Sequence, residues 1–392
     1  MEEPSISTSH FALRISRLVA GAIALTTPAV AQQANVRPAW DYTVTPYFYY
    51  SSVDQWWLAG YFSYYQPIAD YRRPEPWSAS LRIQGGASTA GSYYLDLDAD
   101  APAYWDGWRL GLSLTAARAN RLGYYGIGNA TQHVADSVTS TSPYFFSVSR
   151  TTQLGRLNVQ RRIIGPLRVL VGAVYEHTTF RELPGTSQFQ HDAALGVIDG
   201  SPFSDLAARG GLVLDARDNE LDPHRGGAVE ALYAAGQHYH RTTVRLQGYV
   251  NPTPRLILAG RIAGEEITGT SEISLMQTIE RTQRPTIALG GYSSLRGYYD
   301  SRFAGPGKLV GGLEARWALI NAPAIFEFKI VGFWDAGRVF TEAEGFRLTT
   351  EGLHQSGGAE AMLRIGRNTI VVIGGGWGSE GGQFLFGTTW SY

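Results

Sequence analysis

Along most of this chain polar and apolar residues alternate one for one, the period at which an extended strand turns successive side chains to opposite faces. Residues 308–320 show it: Gly312, Glu314, Arg316 and Ala318 share one parity, and Leu309, Leu313, Trp317 and Leu319 share the other. Residues 324–340 repeat the split, with Glu327, Lys329 and Asp335 opposite Phe326, Phe328, Ile330 and Trp334. Read this way, the chain predicts sixteen strands, over 44–51, 56–66, 77–87, 91–98, 105–118, 144–163, 167–180, 206–217, 227–237, 240–251, 255–264, 308–320, 324–340, 352–366, 369–377 and 383–392. Most have the length that crosses a bilayer at a tilt.

The connections sort into two sets. Residues 67–76, 99–104, 165–166, 252–254, 321–323 and 367–368 are short, and they alternate with long polar stretches opening at Arg121, Arg181 and Glu265. Short turns on the periplasmic side and long loops outside are what a bacterial outer-membrane barrel shows. The longest connection, 265–307, then falls between strands eleven and twelve, on the outer face. Aromatic residues crowd 44–51 and 56–66, as an interfacial girdle requires.

Composition narrows the choice. Glycine and tyrosine are abundant and only 17% of residues are charged, yet no apolar run approaches the roughly twenty residues of a membrane helix. In lipid only helices and closed barrels satisfy every backbone group, so a membrane protein of this composition is a barrel. A formal net charge of −1 leaves no footprint for nucleic acid. The absence of cysteine removes disulfides, thiolate metal sites and cysteine nucleophiles.

The first residues have the form of an export signal: Arg14 and Arg17 precede an apolar run, and Ala29-Val30-Ala31 stands where a small-x-small cleavage site would. The expected organisation is a signal peptide over 1–31, a short periplasmic lead over 32–43 and a transmembrane barrel over 44–392.

The chemistry gathers at the longest loop. It carries Leu289-Gly290-Gly291-Tyr292-Ser293-Ser294-Leu295-Arg296-Gly297-Tyr298, and the two strands after it place Glu314 and Asp335 on one face. From the residues alone Arg296 either meets these carboxylates or points into water. Leu-Arg-Gly-Tyr in a long loop, then Gly311-x-x-Glu314, then Phe333-x-Asp335-x-Gly337 resembles the BamA and TamA superfamily of bacterial surface-antigen barrels. The resemblance implies an all-β fold, a 16-stranded antiparallel transmembrane β-barrel whose loop between strands 11 and 12 folds into the lumen. It implies a loop-to-wall lock in which the Arg296 guanidinium meets Asp335. Glu314, Phe333 and Gly337 belong to its wall, Gly297 lets the backbone approach that wall, and Tyr298 packs beside the pair. Tyr124-Tyr125-Gly126-Ile127-Gly128-Asn129 is similar to a phrase of the same family and is equally a plain glycine turn. So are Asp215-x-Arg217-Asp218-Asn219 and Pro223-x-x-Gly226, where turn chemistry is sufficient. The aromatic end at Tyr392 resembles the tail by which barrels are recognised for assembly, although the family usually ends in Phe, and is equally a residue of the aromatic girdle.

The resemblance implies a helper in the insertion or translocation of polypeptides, working in outer-membrane lipid. The seam between 44–51 and 383–392 would accept client strands by backbone pairing. Family members that handle clients carry receiving domains ahead of the barrel; 32–43 offers no room for one, so a separate periplasmic or lipoprotein partner is expected. The alternative is a passive or plugged channel. An enzyme is not expected: no Gly-x-Ser-x-Gly occurs, His238 and His240 lack further ligands, and Asp96, Asp98 and Asp100 begin a calcium loop that fails at Ala101 and Gly107. No cofactor and no metal are expected.

Overall fold

The computed structural model describes residues 38–387 apart from 52, 69–72, 270–271, 323–325 and 366–368. The expected signal peptide, the lead up to residue 37 and the terminal Tyr392 lie outside the described residues. One antiparallel sheet of sixteen strands dominates, each strand pairing with its neighbour in sequence. In chain order these are β1 Asp41–Ser51, β2 Gln55–Pro67, β3 Trp77–Ser88, β4 Tyr93–Trp105, β5 Trp108–Gly123, β6 Ser147–Ile164, β7 Leu167–Arg181 and β8 Phe203–Asp215. They continue as β9 Gly226–Ala235, β10 Tyr239–Thr253, β11 Leu256–Gly269, β12 Gly307–Ala322, β13 Phe326–Phe340, β14 His354–Ile365, β15 Thr369–Gly378 and β16 Gly381–Gly387. The Tyr49 ring of β1 stacks on the Phe386 ring of β16, centroids 6.4 Å apart, so the two ends of the sheet touch.

The alternation is inside out. On β12, Leu313, Trp317 and Leu319 are 58%, 45% and 52% exposed, whereas Glu314 and Arg316 are 4% and 0% exposed. A sheet that turns its apolar row outward and buries its charges loses hydrophobic stabilisation in water and gains it in lipid. Trp56, Tyr93 and Trp377 stand exposed toward the long-loop end and Trp105 and Trp108 at the short-turn end, the two positions of an aromatic girdle.

Three local expectations are corrected. The turn between β4 and β5 is Asp106-Gly107, not 99–104, and Gly107 takes the left-handed φ of +71° that the turn needs. Pro102 instead lies where the ladder shifts register between Ala101 and Trp105, so its missing N–H interrupts no regular pair. β11 runs on to Gly269 because Glu265 and Ile267, both buried, continue its inward row. The loop before β12 is accordingly 270–306, and it has structure of its own: helix Ile273–Met276 and a two-residue ladder of Thr278–Ile279 with Thr286–Ile287. The loop between β7 and β8 carries a second helix, Gln188–Ala194, started by a reciprocal capping box between Ser187 and Gln190.

Candidate functional site

Arg296 is fully buried, and its placement begins with glycine. Gly290 and Gly291 hold φ of +109° and +82°, which turns the loop back on itself. Gly297 lies against β15 so closely that a Cβ there would come within 2.4 Å of the Trp377 carbonyl carbon. With the backbone pressed to the wall, the guanidinium reaches three strands. Its Nε and Nη2 donate to the two oxygens of Asp335 on β13 at 2.8 and 3.0 Å, and Nη1 donates to Glu314 on β12 at 2.6 Å and to Glu360 on β14 at 3.3 Å. The Phe333 ring lies flat beneath it, 3.6 Å from centroid to Cζ.

Two further arginines balance the three carboxylates. Arg316 Nε donates to Glu314 at 2.8 Å, and Arg261 Nη2 stands 3.7 Å from Asp335. Arg261 also donates to the carbonyls of Ser293 and Ser294, tying the loop backbone to β11. Burial works against the charge of Arg296, but Glu314 and Asp335 outweigh it and hold the guanidinium protonated well above its ordinary range. At Gly337 on β13 there is no room for a side chain, since a Cβ there would meet the Leu309 carbonyl oxygen of β12 at 2.8 Å.

The structure thus brings Arg296, Gly297, Glu314, Phe333, Asp335 and Gly337 together. The Tyr298 hydroxyl shares a hydrogen bond with Ser379 at 3.0 Å in the β15–β16 turn, and its ring meets Phe303 edge-on.

Sequence reasoning missed a second set of contacts, of opposite polarity. Glu280, near the loop's far end, accepts from both Nη atoms of Arg156 on β6, pairs with Arg209 on β8 at 3.1 Å and faces Arg241 on β10 at 3.7 Å. Burial opposes its ionisation, yet Arg156, Arg209 and Arg241 hold its carboxyl at about 2. Arg284 pairs with Asp96 and Asp98 on β4. Lys308 and Arg241 hold Glu265, which accepts the Glu280 backbone N–H at 2.7 Å. The available signal was parity: Glu360, Arg156 and Arg209 are buried charges on inward rows, and each inward charge in such a strand needs a partner.

Other candidates resolve more simply. Gly126 and Gly128 have left-handed φ, and Ile127 also bridges to Ala304, so that phrase is both a glycine turn and a dock for the long loop. Asp218 and Asn219 accept backbone N–H groups of the turn they sit in, as turn chemistry predicts. His238 turns to Asp205 and His240 to Tyr233. Among the described residues Asp222, His224 and Glu327 form a cluster of metal-ligating type. The Lys329 ammonium stands 2.8 Å from Asp222 and 3.1 Å from Glu327, where a cation would go.

Comparison with known proteins follows the same line. The sequence pattern of the Omp85 superfamily domain matches residues 76–373. Among solved structures, the chain superposes on BamA from Haemophilus ducreyi lacking POTRA domains 1-3 with a TM-score of 0.56 at 13% identity, over 88% of this chain and 69% of that one. It superposes on CdiB from Escherichia coli with a TM-score of 0.55 at 11% identity, over 89% of this chain and 60% of that one. The chain therefore spans less than two thirds of CdiB. Curated protein sequences give no match.

Proposed function

Since the chain belongs to the Omp85 superfamily, whose barrels reside in the bacterial outer membrane, we propose that its strands close into a transmembrane cylinder and that it assists insertion or translocation of polypeptides. The observation that carries this reading is the pair of edges at β1 and β16. Among the described residues β1 pairs in the sheet only with β2, and β16 only with β15, while Tyr49 and Phe386 hold the edges side by side. Edge strands with free backbone groups accept a further strand, and a client polypeptide would join there.

The loop over 270–306 supports a filled lumen. It contacts β4 through Arg284, β6 and β8 through Glu280, and β12 to β14 through Arg296. Contacts distributed around the sheet in this way fit a segment enclosed by it. Arg296, Gly297, Glu314, Phe333, Asp335 and Gly337 are the lock that keeps it there, and Tyr298 fastens its outer end. A separate periplasmic or lipoprotein partner would deliver the client.

A plugged channel without translocase activity is the second reading, favoured by the same anchored loop. A photoreactive residue introduced in β1 separates the two in cells. Crosslinks to nascent outer-membrane proteins are the expected result; a seam that captures no client leaves the plugged channel.

A further inference from the structure

Beneath the tip of the long loop lies a polar cavity of about 220 Å³, at the short-turn end of the sheet. Its lining includes six arginines, Arg82, Arg109, Arg168, Arg217, Arg245 and Arg281, against four carboxylates, Asp100, Asp215, Glu220 and Glu230. Each carboxylate is already taken. Arg109 holds Asp100 at 2.9 Å and Glu220 at 2.8 Å, Arg217 holds Asp215 at 2.7 Å, and Arg245 holds Glu230 at 3.2 Å. Arg168 pairs with Glu75 at 3.7 Å.

Arg82 and Arg281 are left over. Among the described residues neither makes an ion pair, and the buried Nε of each has no acceptor. Arg82 leans over the Trp77 ring, 5.0 Å from its centroid, which fixes its direction without neutralising it. Burial and the neighbouring guanidinium of Arg245 push the pKa of Arg281 down to about 9, and the charge of Glu230, already paired with Arg245, offsets this only in part. Two guanidiniums lining one cavity with no carboxylate paired to either are costly unless an anion from outside supplies the counter-charge.

We propose that this cavity is a binding site for a small tetrahedral oxyanion, of the phosphate or sulfate class, held between Arg82 on the wall and Arg281 on the loop. Guanidinium forks match such an anion in shape and charge. Most of the residues round it are polar and it lies at the short-turn end of the sheet, so the ligand would arrive through water rather than from the bilayer. With one arginine on the loop and one on the sheet, the bound anion would also fasten the loop tip, independently of whether the barrel handles polypeptides.

The test is calorimetric titration of inorganic phosphate into the full chain in detergent at constant ionic strength, with chloride as the control ion. The expected result is saturable binding to the parent, weakened about tenfold or more by Arg82→Gln and by Arg281→Gln. Arg82→Gln leaves the loop sequence intact, so it reports on the site even where Arg281→Gln disturbs the loop. On the unmutated chain, phosphate should protect Arg82 and Arg281 from an arginine-specific dicarbonyl reagent, read by mass spectrometry. Heats no larger than those of chloride, or labelling of both arginines that phosphate leaves unchanged, would overturn the proposal.

Discussion

Arg296 grips Asp335 with two hydrogen bonds of 2.8 and 3.0 Å, and neither side chain is exposed to any measurable extent. A buried bidentate pair of this kind is hard to break singly, because the survivor keeps its charge without its partner. Arg296→Ala leaves the carboxyl groups of Asp335, Glu314 and Glu360 facing only the guanidiniums of Arg316 and Arg261. The expected cost is about 3–5 kcal/mol. Limited proteolysis checks it: cleavage within 270–306 should accelerate in Arg296→Ala and in Asp335→Ala while the sheet persists.

The far anchor predicts a different pH response. Glu280 is held at about 2 in the folded chain against an ordinary 4.5, so its contribution is complete above about 4.5 and is lost as pH falls through about 2. Glu280→Gln removes that charge and strands Arg156, Arg209 and Arg241 around a neutral amide. The loop should then be as readily cut by pepsin at pH 4 as the parent's loop is near pH 2. Equal resistance of variant and parent at pH 4 would show that this anchor carries no stability.

Glu272, at the start of the loop helix, works in the opposite sense. Burial, with a contribution from Glu176, raises its carboxyl to about 7 from 4.5. A folded pKa above the unfolded one means stability that is complete below about 4.5 and lost as pH rises through about 7. Hydrogen exchange of the amides of 273–278 should therefore be faster at pH 8 than at pH 6 after correction for intrinsic rates, and Glu272→Gln should abolish the difference.

Gly297 tests the approach of loop to wall by bulk alone. A Cβ would meet the backbone of Trp377 and Gly378 at 2.4 and 2.5 Å, where no flexible side chain can yield. Gly297→Ala should displace Arg296 from its carboxylates and increase proteolysis nearly as much as Arg296→Ala, whereas Gly248→Ala, with nothing within 4 Å and no left-handed φ, should leave the loop's resistance unchanged.

Much of this was legible in the chain because a strand in lipid writes its two faces into consecutive residues. The sixteen strands and the meeting of Arg296 with Glu314 and Asp335 follow from parity and from the motif resemblance. Pairing between distant strands was not legible. Nothing in the spacing of Arg156, Arg209 and Arg241 shows that β6, β8 and β10 present them to one loop carboxylate, since that depends on how the sheet curves. Asp96 and Asp98 begin a calcium-loop pattern that already fails in the sequence at Ala101 and Gly107, but only the fold shows that their partner is Arg284. The short connection expected over 99–104 is strand instead, because the bulge between Ala101 and Trp105, invisible to composition, tolerates Pro102.

The seam makes a prediction that the absence of cysteine keeps clean. Tyr49→Cys with Phe386→Cys places two thiols where two stacked rings now sit. Under oxidation the edges should be covalently joined and client capture at β1 should fall, recovering when the bond is reduced. Unchanged capture in the oxidised form would exclude the seam as the client's route.

Conductance across a planar lipid bilayer tests most directly whether a cylinder is filled by a loop pinned at both ends. The parent should show little or no steady current, and Arg296→Ala combined with Glu280→Gln should open a wide, stable pore. A parent that conducts steadily, or a double variant as closed as the parent, would contradict the account.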